Sequence, residues 1–192
     1  MYNGIAIIGL NGAGKSTLAH VLAKKLHYFE IDVEDYYFPA QRSSRINALE
    51  GKTSADVSFI PYLSPRAKSE VELAIRKDIN CNPQFVLSGV TLNWSESILS
   101  QIDIVFYLHV PLNERLQRIR SREAQRFGSR ILPDGDMYEQ HNKFLNKIEN
   151  RSEQEIARSL ENIFCPVVDV EEILPLCNDT LVKTFLKGAI KL

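Results

Sequence analysis

The sequence predicts an α/β fold, a buried parallel sheet with helices on both faces. Three observations carry that prediction. Short β-rich runs alternate with longer stretches of helical periodicity along the chain, the order expected of strand–helix–strand units. The first strand-like run, Ile5 to Ile8, is continuously apolar, as in a strand covered on both sides. That run leads directly into glycines and then into a helical pattern, as a parallel strand feeding a turn does. A chain of 192 residues has room for one complete core and little for a second, so residues 1–192 are read as a single domain.

The elements follow in order. Ile5 to Ile8 is the first strand, and Leu18, Val21, Leu22 and Leu26 recur at helical spacing after it. Tyr28 to Asp32 is the second strand. From about Gln41 to Leu63 the composition is mixed and polar, and Gly51, Pro61 and Pro65 break any long element, which predicts an irregular or short-helical insert. Val71, Ala74, Ile75 and Ile79 predict a helix begun near Ser64 or Pro65 and ended between Asn80 and Pro83. Phe85 to Leu87 is a third strand, stopped at Ser88-Gly89, and Ile104 to Leu108 a fourth. Pro111 is well placed to open the next helix, whose apolar stripe is Leu112, Leu116 and Ile119. Gly128, Pro133 and Gly135 punctuate a loop. A long polar-rich segment from about Asp136 to Glu161 then carries Met137, Phe144, Leu145 and Ile148 on one face. Pro166 to Val170 supplies a last strand and Leu181 to Ile190 a closing helix.

Composition excludes several functions. Lys and Arg number 23 against 24 Asp and Glu, a net charge of −1, which disfavours a dedicated duplex-DNA binder and makes nucleic acid an unexpected partner. The N-terminal apolar run has no basic segment before it and no small-residue cleavage pattern after it. No stretch approaches the ~18 uninterrupted apolar residues of a membrane span. The expectation is a cytoplasmic protein with no membrane partner. Cys81, Cys165 and Cys177 are far apart and lack C-x-x-C spacing, against both a disulfide framework and a zinc site.

Directly after the first strand stands Gly9-Leu10-Asn11-Gly12-Ala13-Gly14-Lys15-Ser16, a complete match to G-x-x-x-x-G-K-[ST], with Thr17 next. The glycines let backbone N–H groups turn inward around phosphate oxygens, and the helix beginning near Lys15 adds its positive end. Gly9, Asn11, Gly12, Ala13, Gly14, Lys15, Ser16 and Thr17 are the predicted nucleotide contacts. Lys15 can bridge the β and γ phosphates, and the Ser16 hydroxyl is placed to ligate Mg²⁺. The loop specifies a nucleoside triphosphate and leaves open what is done with it. The nearest text to the guanine-specifying N-K-x-D is Asn146-Lys147-Ile148-Glu149, read as a solvated helix face. Phe85 to Gly89 lacks the acidic pair with which motor-type ATPases hold Mg²⁺ and polarise water, which argues against an efficient hydrolase.

In order and spacing the chain resembles the small P-loop kinases, a group that includes nucleoside monophosphate kinases, shikimate and gluconate kinases and uridine kinases. The resemblance implies a three-layer P-loop NTPase fold with a five-stranded parallel sheet in the order 2-3-1-4-5. It also implies ATP and Mg²⁺, an acceptor-binding insert at about 36–64 and an arginine-bearing lid at about 122–135. Asp35, followed by aromatic residues, looks like the matching stretch of uridine-type kinases and is assigned to acceptor binding or to the base. Asp32 stands at the strand end where shikimate kinases keep an acidic pair and is assigned to indirect Mg²⁺ contact. Arg42 and Arg45 in the insert can hold an anionic group of the acceptor.

Between Arg115 and Arg130 lie six arginines: Arg115, Arg118, Arg120, Arg122, Arg126 and Arg130. At 3.6 residues per turn, Arg115, Arg118 and Arg122 form a stripe beside the apolar one. In the resembling kinases arginines of this helix and lid contact the triphosphate and cover the base. By position Arg118 and Arg122 are the helix arginines, and Arg126 and Arg130 those of the lid, with Lys15, Asp35, Arg118, Arg122 and Arg126 as the catalytic set. The chain departs from the adenylate-kinase pattern at Ser88, where the third strand usually ends Asp-Gly. That shifts the Mg²⁺ role toward Ser16 and Asp32, while Gly89 still allows close backbone approach to the acceptor. His141 and Trp94 are read as packing residues, and Asp169 is left without a role. The sequence thus predicts an ATP-dependent phosphotransferase acting on a small molecule through a hydroxyl or a phosphate. A nucleoside or nucleoside monophosphate kinase specifically, or a non-catalytic ATP-binding regulatory module, are the alternatives.

Overall fold

The computed structural model describes residues 2–50 and 65–171. Strand β1, Gly4–Gly9, is buried along its whole length. Its side chains divide by the period of two: Ile5 and Ile7 point into one apolar layer, Ala6 and Ile8 into the other. Helix α1, Lys15–Leu26, covers the first layer with Leu18, Ala19, Leu22 and Ala23. It ends where His27 takes a left-handed conformation. Strand β2, Phe29–Asp32, is followed without a loop by helix α2, Val33–Tyr37, because the Asp32 carboxylate caps it by accepting from Glu34 N at 3.0 Å.

A short 3₁₀ turn, Pro39–Gln41, then leads into helix α3, Arg42–Leu49, so the described part of the insert is helical. Helix α4, Lys68–Cys81, starts later than the prolines predicted, at Ala67, where the Glu70 carboxylate accepts from the Ala67 N–H at 3.1 Å. Its Val71, Ile75 and Ile79 fill the second layer. Strand β3, Phe85–Gly89, short helix α5, Glu96–Leu99, and strand β4, Ile104–Leu108, follow. Helix α6, Leu112–Phe127, and a 3₁₀ turn, Gly128–Ile131, lead to helix α7, Tyr138–Glu149, helix α8, Gln154–Leu160, and strand β5, Val167–Val170.

The polar segment after Asp136 is thus two helices. The break lies at Asn150–Glu153, where the Ser152 hydroxyl accepts from Gln154 N at 3.1 Å and restarts the chain as α8. Ile156 of α8 belongs to the second core layer, whereas Ile148 of α7 packs on Leu116 and Ile119 of α6 in a separate outer cluster. The closing helix expected at Leu181 to Ile190, and Cys177, lie outside the described residues.

All five strands are parallel, in the order β2-β3-β1-β4-β5, as the resemblance implied. The sequence neighbours β1 and β2 are therefore separated in space by β3. That insertion opens a crevice at the carboxyl ends of the strands, where the glycine loop after β1 and the acidic tip of β2 look toward each other. Among the described residues no helix is long and apolar enough to cross a membrane.

Candidate active site

The phosphate loop is shaped by backbone that only glycine adopts easily. Gly12 has φ +84°, and a Cβ there would lie 2.6 Å from Arg115 O and 2.9 Å from Ile119 Cδ1, so the loop sits directly against α6. Gly14, with φ 94°, precedes the first residue of α1 and turns the chain into the helix. Lys15 folds back over the loop and donates to Leu10 O at 3.1 Å. Burial lowers its ammonium to about 8, against the attraction of Glu34 and Asp32 and with the repulsion of Arg122 and Arg151. Ser16 and Thr17 follow in the first turn of α1.

Asn11, at the tip of the loop, is held by two arginines. Arg115 is buried and donates from Nη1 to Asn11 O at 3.2 Å and from Nε to Val110 O at 3.0 Å. Arg151, in the break between α7 and α8, donates from Nη1 to Asn11 Oδ1 at 3.1 Å and is itself held by Glu155. Sequence reasoning placed Arg115 on the correct stripe without a role and missed Arg151 altogether.

The tip of β2 is acidic and tightly wired. Asp32 is buried, and besides capping α2 its Oδ2 accepts from the Ser88 hydroxyl at 3.1 Å, across the register that pairs Asp32 with Ser88. Ser88 therefore donates to the neighbouring acid at the position where the adenylate-kinase pattern has a carboxylate. Asp35, also buried, is gripped by Arg45: Nε donates to both carboxylate oxygens at 3.0 Å, and Nη2 to Oδ2 at 2.5 Å. Arg45 Nη1 donates to Glu30 Oε1 at 2.9 Å and lies 3.7 Å from Asp32 Oδ2. The other oxygen of Glu30 is 2.8 Å from His20 Nδ1 on α1. Burial raises the Asp35 pKa although Arg45 pulls it down, and the surrounding carboxylates and the bond to Asp35 outweigh burial to raise that of Arg45. The neighbouring Tyr36 hydroxyl donates to Asp78 Oδ2 at 2.6 Å and fixes α2 on α4.

Arg42, by contrast, is exposed at the start of α3. Gly89 ends β3 beside α2, where a Cβ would stand 3.3 Å from Val33 Cγ2. Glu34, which the sequence left unassigned, faces the loop. It is open to solvent in the crevice, yet the crowding protein and the charge of Asp32 raise its pKa, while Arg122 and Lys15 draw it down.

Of the arginines on and beyond α6, the structure brings Arg122 toward the phosphate loop, where its charge acts on both Lys15 and Glu34. Arg122 and Arg126 still belong to α6 and share the buried Glu123, at 2.9 and 3.9 Å. The Arg126 guanidinium also lies 5.0 Å from the Phe127 ring centroid. Arg118 pairs with Glu114 on the exposed face at 3.2 Å, and Arg130 makes a forked pair with Asp136, at 2.7 Å for the shorter arm. Arg118 and Arg122, with Gln117, Ser121 and Gln125, line an open groove along α6.

Among the described residues no three His, Cys, Asp or Glu side chains converge as a metal site. Mg²⁺ is held mostly by substrate phosphates and water with one or two protein oxygens. The Ser16 hydroxyl and Asp32 are the oxygens available. Each Asp32 oxygen accepts one bond in this arrangement and keeps a further lone pair for a metal-bound water.

No protein-family model matches the chain. It is 29% identical over 180 residues to the uncharacterized protein YqaC of Bacillus subtilis (strain 168), covering 90% of each chain. Among solved structures it is similar to TT1252 from Thermus thermophilus, with a TM-score of 0.52 and 16% identity over 97% of both chains. It is also similar to shikimate kinase from Acinetobacter baumannii in complex with shikimate, with a TM-score of 0.49 and 21% identity, covering 100% of this chain and 96% of that one. The five-stranded parallel sheet in the order 2-3-1-4-5, with its flanking helices, is the three-layer α/β P-loop fold that the sequence predicts.

Proposed function

We propose that the chain is an ATP-dependent small-molecule kinase that moves the γ-phosphoryl group of ATP to a hydroxyl or phosphate oxygen of a small acceptor. The observation that carries this reading is the grouping of Lys15, Asp32, Glu34 and Arg122 where the phosphate loop opens into the crevice. Cations face the place where the triphosphate would bind, and carboxylates face the place where an acceptor would enter. Phosphoryl transfer asks mainly for positioning and charge neutralisation, and this grouping offers both.

In this reading the loop N–H groups and Lys15 hold the β and γ phosphates, and Arg122 offsets charge on the transferred group. Glu34 is the carboxylate placed to take the acceptor proton, since its raised pKa suits a group that gains one. Asp35, fixed by Arg45, orients the acceptor. Bound Mg²⁺ would neutralise phosphate charge, held at Ser16 and, through water, at Asp32. Arg126 and Arg130 are assigned to the segment that closes over the nucleotide and excludes water.

The Ser88 position supports one further reading, a regulatory module that binds ATP without turning it over. Incubation with Mg²⁺ and γ-labelled ATP against pooled nucleosides, nucleotides, sugars and hydroxy acids separates the two. A labelled product that disappears in Lys15→Ala is the result expected of the kinase. ATP binding with no labelled product in any pool overturns it in favour of the module.

A further inference from the structure

We infer that the acceptor is an uncharged hydroxyl compound, a nucleoside, sugar or polyol in chemical type, rather than a phosphomonoester or a hydroxy acid. The inference rests on the kinase reading and narrows its acceptor.

The argument turns on what Arg45 is doing. A guanidinium in the insert is the natural hold for an anionic acceptor, because its planar fork matches a phosphate or carboxylate. Arg45 has that fork occupied. Its Nε and Nη2 donate to Asp35 and its Nη1 to Glu30, with Asp32 Oδ2 3.7 Å away, and its side chain is only 15% accessible. Two elements outside the insert close the arrangement: His20 of α1 fixes the second oxygen of Glu30, and Ser88 of β3 fixes Asp32. An anion could reach Arg45 only by displacing Asp35, which would leave a buried carboxylate without its cation.

Charge around the crevice points the same way. Glu30, Asp32, Glu34 and Asp35 line the β2 tip against Arg42 and Arg45, and Lys15 and Arg122 serve the donor side. An acceptor carrying its own negative charge would meet these four carboxylates, with the fork of Arg45 engaged and Arg42 out at the exposed start of α3. A neutral diol or single hydroxyl meets Asp35 differently: the carboxylate stays on Arg45 and still has lone pairs to accept O–H bonds. Arg45 is then a positioning residue, acting through Asp35.

The transfer balances without any further reactant. The acceptor oxygen forms a bond to the γ-phosphorus as the bond from that phosphorus to the β–γ bridging oxygen breaks. ADP leaves with the bonding pair, and the hydroxyl proton passes to a carboxylate and then to solvent.

The test uses wild-type chain, Mg²⁺ and γ-labelled ATP with three separate acceptor pools: uncharged nucleosides, sugars and polyols; phosphomonoesters; and hydroxy acids. Label is expected in the uncharged pool alone and is expected to vanish in Lys15→Ala. For the acceptor so found, Arg45→Lys, which keeps the charge and loses the fork, is expected to raise its KM about tenfold with ATP affinity unchanged. Label entering the phosphomonoester or hydroxy-acid pool overturns the inference and leaves the kinase reading standing. No label in any pool, with ATP bound, overturns the kinase reading and the inference with it.

Discussion

The two walls of the crevice are built on different principles. The phosphate loop is made of backbone: Gly12 and Gly14 take left-handed angles, α1 begins directly behind them, and one lysine lies across the opening. The facing wall is made of side chains from four elements, His20 on α1, Glu30 and Asp32 on β2, Asp35 on α2 and Arg45 on α3, each oriented by the next. Backbone recognition suits a ligand part that never varies, such as a triphosphate. A side-chain network can be rewired one residue at a time, which is where a choice among acceptors belongs.

The contrast can be broken most sharply at Lys15. Lys15→Ala is expected to lower turnover by about 10²–10³-fold through lost stabilisation of transferred charge, read in single-turnover kinetics on a variant whose thermal unfolding matches wild type. On the other wall, Asp35→Asn is expected to lower kcat/KM for the acceptor by about 10–100-fold, the worth of hydrogen bonds to a charged group, with ATP affinity unchanged by calorimetry. An equal loss of ATP affinity would mean that the walls are not separable.

Acidity gives a third handle. The free chain holds Lys15 at about 8, below the ordinary lysine value, and a bound triphosphate favours the charged form. ATP affinity should therefore be level below about pH 8 and fall by up to about tenfold per pH unit above it, in titrations from pH 7.5 to 9.5. Over the same window the unfolded lysine binds more proton than the folded one, so Lys15 makes nucleotide-free stability rise with pH. A level affinity across that range would place the Lys15 proton elsewhere.

Two smaller effects sharpen the picture. Arg151→Met frees the Asn11 side chain from the break between α7 and α8 and is expected to weaken ATP binding by about 1 kcal/mol, while leaving acceptor KM alone. Ser88→Ala removes one donor from Asp32 and is expected to cost about 1 kcal/mol of stability by chemical denaturation. Its effect on turnover should stay well below that of Asp35→Asn.

The sequence makes the backbone-built wall legible and the side-chain wall only partly so. The loop is contiguous, and its fit between a strand and a helix is visible in eight residues, Gly9 to Ser16. The inner strands are legible because a doubly covered strand is apolar throughout, as Ile5 to Ile8 is, whereas the edge strands β2 and β5 carry Glu30, Asp32 and Asp169 and are read from their place between helical patterns. Arg45, in contrast, reads as a free cation until the fold sets it against Glu30 and Asp35, and nothing in the spacing says that these carboxylates occupy it. The same holds for Ser88 and Asp32, and for Arg151 and Asn11, pairs made by register and by the turn between α7 and α8. That turn was hidden because the segment is polar on both sides of it. Arg122 could be chosen from the helical stripe, but its proximity to Lys15 depends on how Gly12 seats the loop against α6.

The pairing of β1 has a consequence for how the protein comes into being. Its partners are β3 and β4, with Gly4 beside Phe85 and Ile5 beside Ile104, so the strand behind the phosphate loop is completed by segments far along the chain. Contacts of such long sequence separation form late and slowly, because loop closure precedes any reward. A locally written motif is thus assembled non-locally. During synthesis the first strand has no sheet partner until the third has left the ribosome, and it is flanked on both sides only once the fourth has followed.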